Sequence, residues 1–307
     1  MELSTIQHID PDRLNLFEAD LFITHLSHES RCISVARMME SNPARKVVLT
    51  SSCSVKEFAY KQNNEYFMDR DYQVVEVQKD SPDLGQLLKG IKREEIRLFI
   101  DCTCMPQHWY YKFLNWFADD RVGFTRASLR FAYTMAGYSA EGPPLKMKKV
   151  REFVKNGQRG NKKKRAMLLG LGHEAGVSDA IFKEVKPDLV YLYYADPPVD
   201  KRFVEKLFVN NHGVINSTPI RNLIAYPIHN GQEIYQNLID TILPLRSEYA
   251  ITLIPQGPKV FSLASMLVQI GYPDTSLSYP LFKKSQVSDR YPTGEPVILD
   301  VLFEEEE

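Results

Sequence analysis

The sequence lacks any long apolar run. No stretch of the 307 residues approaches the eighteen or so uncharged apolar residues that a membrane-spanning helix needs. The opening residues, Met1 to Ser4, also lack the basic start and apolar core of a secretory signal peptide. We therefore expect a soluble, cytoplasmic protein with no membrane partner.

Cysteine is scarce. The four cysteines, Cys32, Cys53, Cys102 and Cys104, are too few for a disulfide framework in a chain of this length, so we predict reduced thiols. Cys102, Cys104 and His108 are three possible zinc ligands, but the usual two-residue spacer is missing and no fourth ligand follows nearby. We predict buried thiols, and neither a metal nor a cofactor.

A strong net charge is also missing, since the formal value is −1. This balance argues against a nucleic-acid-binding surface that extends over the whole protein. Between Lys146 and Arg165, however, the sequence has ten basic residues and only one acidic residue, Glu152. The run is either a solvated, partly helical connector or a contact for nucleic acid. The candidates for that contact are Lys162, Lys163, Lys164 and Arg165.

Short apolar runs alternate with amphipathic stretches of helical length, a pattern that predicts βα units and parallel sheets. In the first half we predict strands at 20–25, 46–50, 72–77, 96–101 and 128–133. In the second half we predict strands at 166–171, 189–194, 222–226, 249–254 and 276–279, followed by a closing strand at 296–303.

The two halves also match in sequence. Residues 23–30 align with 168–175, so that His28-Glu29 falls on His173-Glu174. We predict a duplication: two tandem Rossmann-like (βα) units that form an internal pseudo-dimer. The units are 1–138 and 165–307, and 139–164 is a basic linker. The alternative is a single alternating α/β chain whose loops coincide by chance.

The loops most suited to a ligand follow the first and fourth strands of each half. In an open parallel sheet, ligands bind beyond the carboxyl ends of the strands, where the strand order reverses. These loops supply the following candidates for ligand binding: Ser27, Asp101 and Thr103 in the first half, and Gly172, Gln256, Gly257 and Lys259 in the second. Asp196, at the end of the second strand of the second half, is a further candidate.

Two glycine-containing loops of the second half are suited to an anion. Gly170 to Gly176 is similar to a dinucleotide fingerprint with one residue too many, and its glycines are also explained by a tight turn. In 256–259, Gly257 permits close approach of the backbone to a ligand. Lys259 adds a positive charge at a helix start, where the helix dipole disfavours a cation unless an anion is bound. We predict an anionic ligand between these loops, with its phosphate on Lys259 and the amides near Gly172 and Gly257.

The repeated pairs His28-Glu29 and His173-Glu174 are the candidate catalytic residues. A histidine and a glutamate can supply an acid and a base, and the repetition of the pair in both halves favours a functional role. Helix capping and packing explain the same residues without any chemistry.

The run of aromatic residues from His108 to Phe117 has helical spacing. It predicts either packing in the core or a surface for a partner protein.

The second half resembles the CRISPR-associated Rossmann-fold (CARF-like) nucleotide-sensor domains of prokaryotic antiviral systems. The resemblance rests on residues 256–259 after the fourth strand and on the apolar helix that follows. Those domains carry Gly-Thr-Lys at this place and act as dimers that bind cyclic oligonucleotides. Here Pro258 replaces the threonine, and the first half has no matching lysine.

The resemblance implies a sensor of a nucleotide or nucleic-acid-derived ligand in antiviral defence. A protein partner encoded nearby is a further expectation. Two alternatives stay open. One is a nucleotide-processing enzyme (a phosphodiesterase, nucleosidase or transferase) that uses the His-Glu pairs. The other is an interaction subunit of a larger defence complex, docked through the aromatic helix and the acidic tail, Glu304 to Glu307.

Overall fold

The computed structural model describes residues 1–52, 55–78, 81–91, 93–119, 123–138, 145–154, 164–283 and 287–305. The chain forms two compact units. Unit 1 comprises Met1–Gly137 and Val287–Glu307, and unit 2 comprises Tyr138–Gln286. Each unit is built on a mixed sheet of mostly parallel strands, so the predicted α/β, Rossmann-like fold class is confirmed.

Unit 1 contains a seven-stranded sheet in the order β1-β13-β6-β5-β2-β3-β4. Numbered along the whole chain, its strands are β1 (Glu2–Ile9), β2 (Leu21–His25), β3 (Arg45–Ser51), β4 (Gln73–Val77), β5 (Glu95–Asp101), β6 (Arg126–Ala136) and β13 (Pro292–Glu304). Its helices are α1 (Ser34–Met38), α2 (Tyr60–Met68), α3 (Leu84–Leu87) and α4 (Gln107–Phe117). β13 is antiparallel to both β6 and β1.

Unit 2 contains a six-stranded sheet in the order β10-β9-β8-β11-β12-β7. Its strands are β7 (Met147–Val154), β8 (Lys164–Gly170), β9 (Leu189–Ala195), β10 (Leu223–Tyr226), β11 (Tyr249–Ile254) and β12 (Ser276–Phe282). Its helices are α5 (Val177–Val185), α6 (Lys201–Asn210), α7 (His212–Asn216), α8 (Gly231–Ile242) and α9 (Lys259–Gly271). β7 is antiparallel to β12.

The two sheets share one strand order. Counted along the chain, the five parallel strands of each unit lie in the order third, second, first, fourth, fifth. The order reverses between β2 and β5 in unit 1 and between β8 and β11 in unit 2. These are the positions that the sequence pattern predicts for the ligand-binding loops.

The central strands are continuous apolar runs because both of their faces are covered. All five residues of β2 are buried, as are the last five residues of β8. In unit 1, α1 and α2 place Val35 and Phe67 in a core cluster with Phe22, Val48 and Phe99 from the strands. In unit 2, α5 and α6 place Ile181 and Leu207 against residues of β8 and β9.

The closing strand belongs to a different unit from the one predicted. The sequence analysis placed residues 165–307 together, but β13 pairs with β6 and β1 in unit 1. Nothing in a local apolar run specifies which sheet it joins, because antiparallel pairing is set by partners distant in sequence. Glu304, counted above with an acidic tail, is the last residue of β13, and its carboxylate lies 3.4 Å from the guanidinium of Arg126.

The predicted basic linker, 139–164, is in part a strand. Residues 147–154 form β7, and Lys164 begins β8. Met147 and Val150 of β7 pack on the core cluster of unit 2, while Lys148 and Lys149 are exposed. Lysine is common on edge strands because its charge opposes pairing with another chain, so a basic composition is compatible with this strand.

Each sheet includes an antiparallel strand that follows, along the chain, the fifth parallel strand of the other unit. β7 follows β6, the fifth parallel strand of unit 1, but pairs with β12 in unit 2. β13 follows β12, the fifth parallel strand of unit 2, but pairs with β6 in unit 1. We call β7 and β13 the exchanged strands.

Among the described residues, the helices are all too short or too polar to cross a membrane.

Candidate functional site

The predicted ligand residues of unit 1 are buried and bonded within the protein. Asp101 is 1% exposed and Thr103 is fully buried. The Asp101 carboxylate accepts hydrogen bonds from the hydroxyl of Thr24 (2.9 Å) and the backbone amide of Thr103 (2.9 Å). The Thr103 hydroxyl in turn accepts from the amide of Thr134 (2.9 Å). These groups therefore fix the loop after β5 to its neighbouring strands.

The loop after β2 is held from α2. The side-chain amide of Asn63 donates to the carbonyl oxygens of Ser27 and Glu29, at 2.9 Å each. Ser30 is bonded to the Asp289 carboxylate through its backbone amide (2.7 Å) and its hydroxyl (2.5 Å). His28 contacts the carbonyl oxygen of Ser288 at 3.3 Å. The segment that leads into β13 therefore contacts this loop along its length.

Arg31 completes the closure of the unit 1 loop. Its side chain is 2% exposed and its Nε lies 2.6 Å from the Glu29 carboxylate. Its Nη1 also donates to the carbonyl oxygen of Thr134 at 2.8 Å. Burial by itself lowers the pKa of Arg31, but the neighbouring Tyr133 and Glu29 outweigh burial and raise that pKa above its ordinary value. Glu29 is therefore paired with a permanently charged arginine. A carboxylate held in such a pair is unsuited to an acid-base role.

In unit 2 the loops after β8 and β11 approach each other closely. A methyl group at Gly257, whose φ is +87°, would lie 2.8 Å from the carbonyl oxygen of Leu171. One at Gly170 would lie 2.5 Å from the carbonyl oxygen of Gln256. Gly257 is therefore required both by the backbone angle and by the close approach, and Gly170 by the close approach alone. The glycines explain the tight packing of these loops, whether or not a ligand binds.

The unit 2 loop is also held by asparagine. At the end of α6, Asn210 donates to the carbonyl oxygen of His173 (2.6 Å), and the following Asn211 donates to that of Gly172 (2.8 Å). Asn63 has the same role in unit 1, from the helix that follows the second strand. The two units thus fix equivalent loops by equivalent means.

The two predicted His-Glu pairs differ in their surroundings. In unit 2, Nε2 of His173 lies 3.9 Å from the Glu174 carboxylate, and their side chains are 43% and 30% exposed. Gly176 of this loop aligns with Arg31 and supplies no side chain. The pair in unit 2 is open, whereas the pair in unit 1 is tied to Arg31 and to the segment 288–290.

The remaining candidates of unit 2 lie around the same edge of the sheet. Gly257 is exposed, whereas Gln256 and Lys259 are half-buried, and α9 begins at Lys259. Gly172 is buried beside Gly257. A methyl group at Gly172 would first meet the Glu174 carboxylate, which lies against this glycine, and then the Gly257 amide nitrogen at 3.8 Å. Asp196 is exposed, and its amide donates to the carbonyl oxygen of Tyr226 at 2.9 Å.

The candidate nucleic-acid contact is only partly described. Lys162 and Lys163 lie outside the described residues. Lys164 is exposed at the start of β8, with its ammonium 3.8 Å from the Glu248 carboxylate. The amide of Arg165 donates to the Asp188 carboxylate at 2.7 Å.

Cys32, Cys102 and the aromatic helix belong to the core, Cys104 is half-buried, and Cys53 lies outside the described residues. Cys32 and Cys102 are buried. Burial and a hydrogen bond with Cys104 raise the pKa of the Cys32 thiol, which opposes nucleophilic use. In the described part of the chain, no three His, Cys, Asp or Glu residues are placed to hold a metal ion. Helix α4 buries most of its aromatic rings, namely Trp109, Tyr110, Tyr111, Phe113 and Phe117, so this run packs inside the protein.

A cavity of about 370 Å³ lies between α1 and α2 in unit 1. Its lining includes Arg37, Arg70, Glu65 and Asp69. The cations and carboxylates of that lining are balanced, so it does not select a ligand of either sign. Sequence reasoning missed this cavity, because neither helix carries a motif.

Two further side chains near the His-Glu pairs were also missed. The ring of His28 lies 5.8 Å from that of Phe58, and the ring of His173 lies 5.5 Å from that of Phe203. Each phenylalanine comes from the segment after the second strand of its unit. The only sequence signal was a phenylalanine at a similar place in both halves.

Comparison with known proteins gives the chain no family. No family model matches it, and no curated protein matches it. One similar solved structure is the cytoplasmic domain of a prokaryotic cation chloride cotransporter. It has 10% sequence identity and a TM-score of 0.24, and the match covers 86% of this chain and 96% of that one. A likeness this low carries no functional argument.

Proposed function

We propose that the protein is a sensor of a nucleotide or nucleic-acid-derived ligand in prokaryotic antiviral defence, and that the ligand binds to unit 2. The context of defence comes from the resemblance of residues 256–259 and α9 to CARF-like domains. The choice of unit 2 as the binding unit rests on the difference between the loop after β2 in unit 1 and the equivalent loop after β8 in unit 2.

That contrast is the observation that carries the proposal. The loop after the first strand is the same element in both units, and an asparagine holds it in both. In unit 1 Arg31 and Asp289 close it. In unit 2 the equivalent loop has Gly176 at the place of Arg31, and the Glu174 side chain is 30% exposed, against 16% for Glu29. One copy of the element is therefore structural, and the other is available to a ligand.

The chemistry around the open loop is suited to phosphate. The backbone amides near Gly257 lie at the start of α9, where the helix dipole attracts an anion. Lys259 adds a positive charge at the same helix start. In unit 1, the loop after β5 begins with Cys102 and Thr103 and contains no lysine. The phosphate of the ligand is therefore assigned to Gly257 and Lys259, and to Gly172 once the Glu174 carboxylate beside it has moved away.

The two units are proposed to correspond to the two subunits of an ancestral dimer, as an internal pseudo-dimer. The common strand order, the repeated asparagine contacts and the exchanged strands support this origin. A duplication explains all three at once, whereas chance similarity of loops explains only the sequence match.

The proposal is tested by calorimetric titration of the full chain with tripolyphosphate, ATP and cyclic dinucleotides. Lys259→Ala removes a charge-assisted contact worth about 1.5 to 3 kcal/mol, which is roughly 10- to 150-fold in affinity. Lys183→Ala removes one exposed lysine from α5 of the same unit and should leave affinity unchanged. Equal affinities for wild type and Lys259→Ala, or no binding of any probe, would refute the proposed site. Turnover of the nucleotide during the titration would identify an enzyme instead of a sensor.

A further inference from the structure

We propose that an aromatic cluster of unit 2, formed by Tyr138, His173 and Phe203, is the subsite for the base of the nucleotide. This inference rests on the proposed function, because it adds a base subsite to the site assigned to phosphate.

Three rings from separate parts of unit 2 meet in this cluster. Phe203, in the first turn of α6, has its ring centroid 5.5 Å from that of His173 and 5.1 Å from that of Tyr138. The three side chains are half-buried, and none is sealed in the interior. Partly exposed aromatic rings that are held in place are the surface on which proteins stack nucleobases.

Phe203 packs apart from the core cluster that α6 shares with β8 and β9. The other phenylalanine at the inner side of α6, Phe208, packs edge-on against Tyr194 at 5.3 Å and contacts the core cluster. Phe203 lies outside that cluster. Helix α6 thus places Phe208 in the core and Phe203 in the aromatic cluster beside the loop after β8.

Two cations lie over the Tyr138 ring. The guanidinium carbon of Arg202 is 4.4 Å from the ring centroid, and the ammonium of Lys206 is 5.8 Å from it. Asp200 holds the guanidinium at 2.6 and 3.0 Å. Its hydrogen bonds with Arg202 lower the pKa of Asp200 to about 2, so the pair stays charged near neutral pH. A fixed guanidinium stacks on bases as well as on tyrosine, and the group of charges has a positive balance.

The cluster is continuous with the proposed phosphate site. His173 directly follows Gly172, which packs beside Gly257. The carbonyl groups of Gly172 and His173 are fixed by the neighbouring residues Asn211 and Asn210. A ligand with a phosphate on the glycine loops has a base within reach of the cluster. The favoured ligand is therefore a nucleotide rather than an inorganic polyphosphate.

The test compares two probes that differ in the presence of a base. The full chain is titrated calorimetrically with ATP and, separately, with tripolyphosphate. Phe203→Leu should weaken ATP binding about 5- to 150-fold, the range for one stacked base, and leave tripolyphosphate binding unchanged. Phe208→Leu, the same substitution in the same helix, should lower the melting temperature without changing either affinity. Tyr138→Leu gives a second variant outside the helix and should repeat the selective loss.

The outcomes separate this inference from the proposed function. If Phe203→Leu and Tyr138→Leu bind ATP as tightly as wild type while Lys259→Ala weakens both probes, the base subsite is wrong and the phosphate site stands. If tripolyphosphate binds as tightly as ATP to wild type, the base contributes nothing and the subsite is also wrong. If neither probe binds wild type, both proposals fail.

Discussion

His173 packs its imidazole on the ring of Phe203, with 5.5 Å between centroids and 53° between planes. His28 and Phe58 have nearly the same geometry in the other unit, at 5.8 Å and 41°. In both units the histidine follows the first parallel strand, β2 or β8, and the phenylalanine follows the second parallel strand, β3 or β9. The short match between residues 28–29 and 173–174 therefore falls on structurally similar positions, which supports a common origin of the two units.

Gly257→Ala should destabilise the protein more than Gly176→Ala. Both glycines have a positive φ, which costs another residue about 1–2 kcal/mol. The methyl group at Gly257 would also lie 2.8 Å from the Leu171 carbonyl oxygen, whereas nothing lies within 4 Å at Gly176. We expect about 2–3 kcal/mol for Gly257→Ala and about 1 kcal/mol for Gly176→Ala, measured by urea unfolding. Equal losses would show that the two loops do not press on each other.

Arg31→Met should be strongly destabilising, because it leaves Glu29 partly buried without its cation. Breaking a buried pair costs about 3–5 kcal/mol. Arg70→Met removes an arginine from the same unit, but that arginine is 42% exposed and pairs with Glu40 at the surface, where a much smaller loss of stability is expected. Thermal melts of the two variants test this difference. A small effect of Arg31→Met would mean that the loop of unit 1 is not closed by this pair.

Alkaline pH should destabilise unit 2 through Tyr193, which is buried, and Tyr235, which is half-buried. Burial raises the pKa of Tyr235 to about 12 and also raises that of Tyr193. The unfolded chain ionises its tyrosines near pH 10. Above that pH, the unfolded state therefore releases protons that the folded state keeps, and the free energy of unfolding falls as the pH rises towards 12. The stabilisation is fully present below pH 10.

This pH dependence is measured by the absorbance of tyrosinate together with circular dichroism. Tyr235→Phe should make the fall in stability less steep. Tyr291→Phe should not, because Tyr291 is 62% exposed. If wild type keeps its full stability at pH 12, the tyrosines are not buried as described.

Removing the exchanged strand β13 should unfold unit 1 and spare unit 2. A chain that ends at residue 286 leaves β6 without its antiparallel partner and β1 without any strand to pair with. We expect rapid proteolysis within residues 1–137 and a protected fragment from unit 2. A chain that ends at Glu305 retains all of β13 and is the control. Equal resistance of the two chains would contradict the assignment of β13 to unit 1.

The central strands were predictable because they are buried on both faces. Residues 249–254 form β11 as predicted, and β2, β3 and β9 differ from their predicted bounds by a residue or two. β1 and β7 were missed because an edge strand needs few apolar residues: only one residue of β1 is buried. The reversal of strand order between the first and fourth parallel strands was predicted and is found in both units.

The loops that form the candidate site were predictable, but their contacts were not. The reversal of strand order selects the loops after the first and fourth strands, and these contain the residues named from the sequence. Arg31 and Asn63 carry no motif, and their partners lie in other elements. Asp101 and Thr103 have ligand-like chemistry in the sequence but serve the loop itself in the structure, because burial near a strand end requires hydrogen-bond partners.

The exchanged strands set the order in which the protein is completed on the ribosome. Unit 2 is wholly synthesised once residue 286 has been made, whereas the sheet of unit 1 waits for β13, which ends at Glu304. Domains usually fold from the N-terminus during synthesis, at about 5–20 residues per second. Unit 1 is therefore started first and finished last. Roughly ten seconds or more pass between the synthesis of Gly137 and that of β13. During that time the edge of β6 lacks its antiparallel partner, so we expect nascent unit 1 to be the stage most prone to wrong strand pairing.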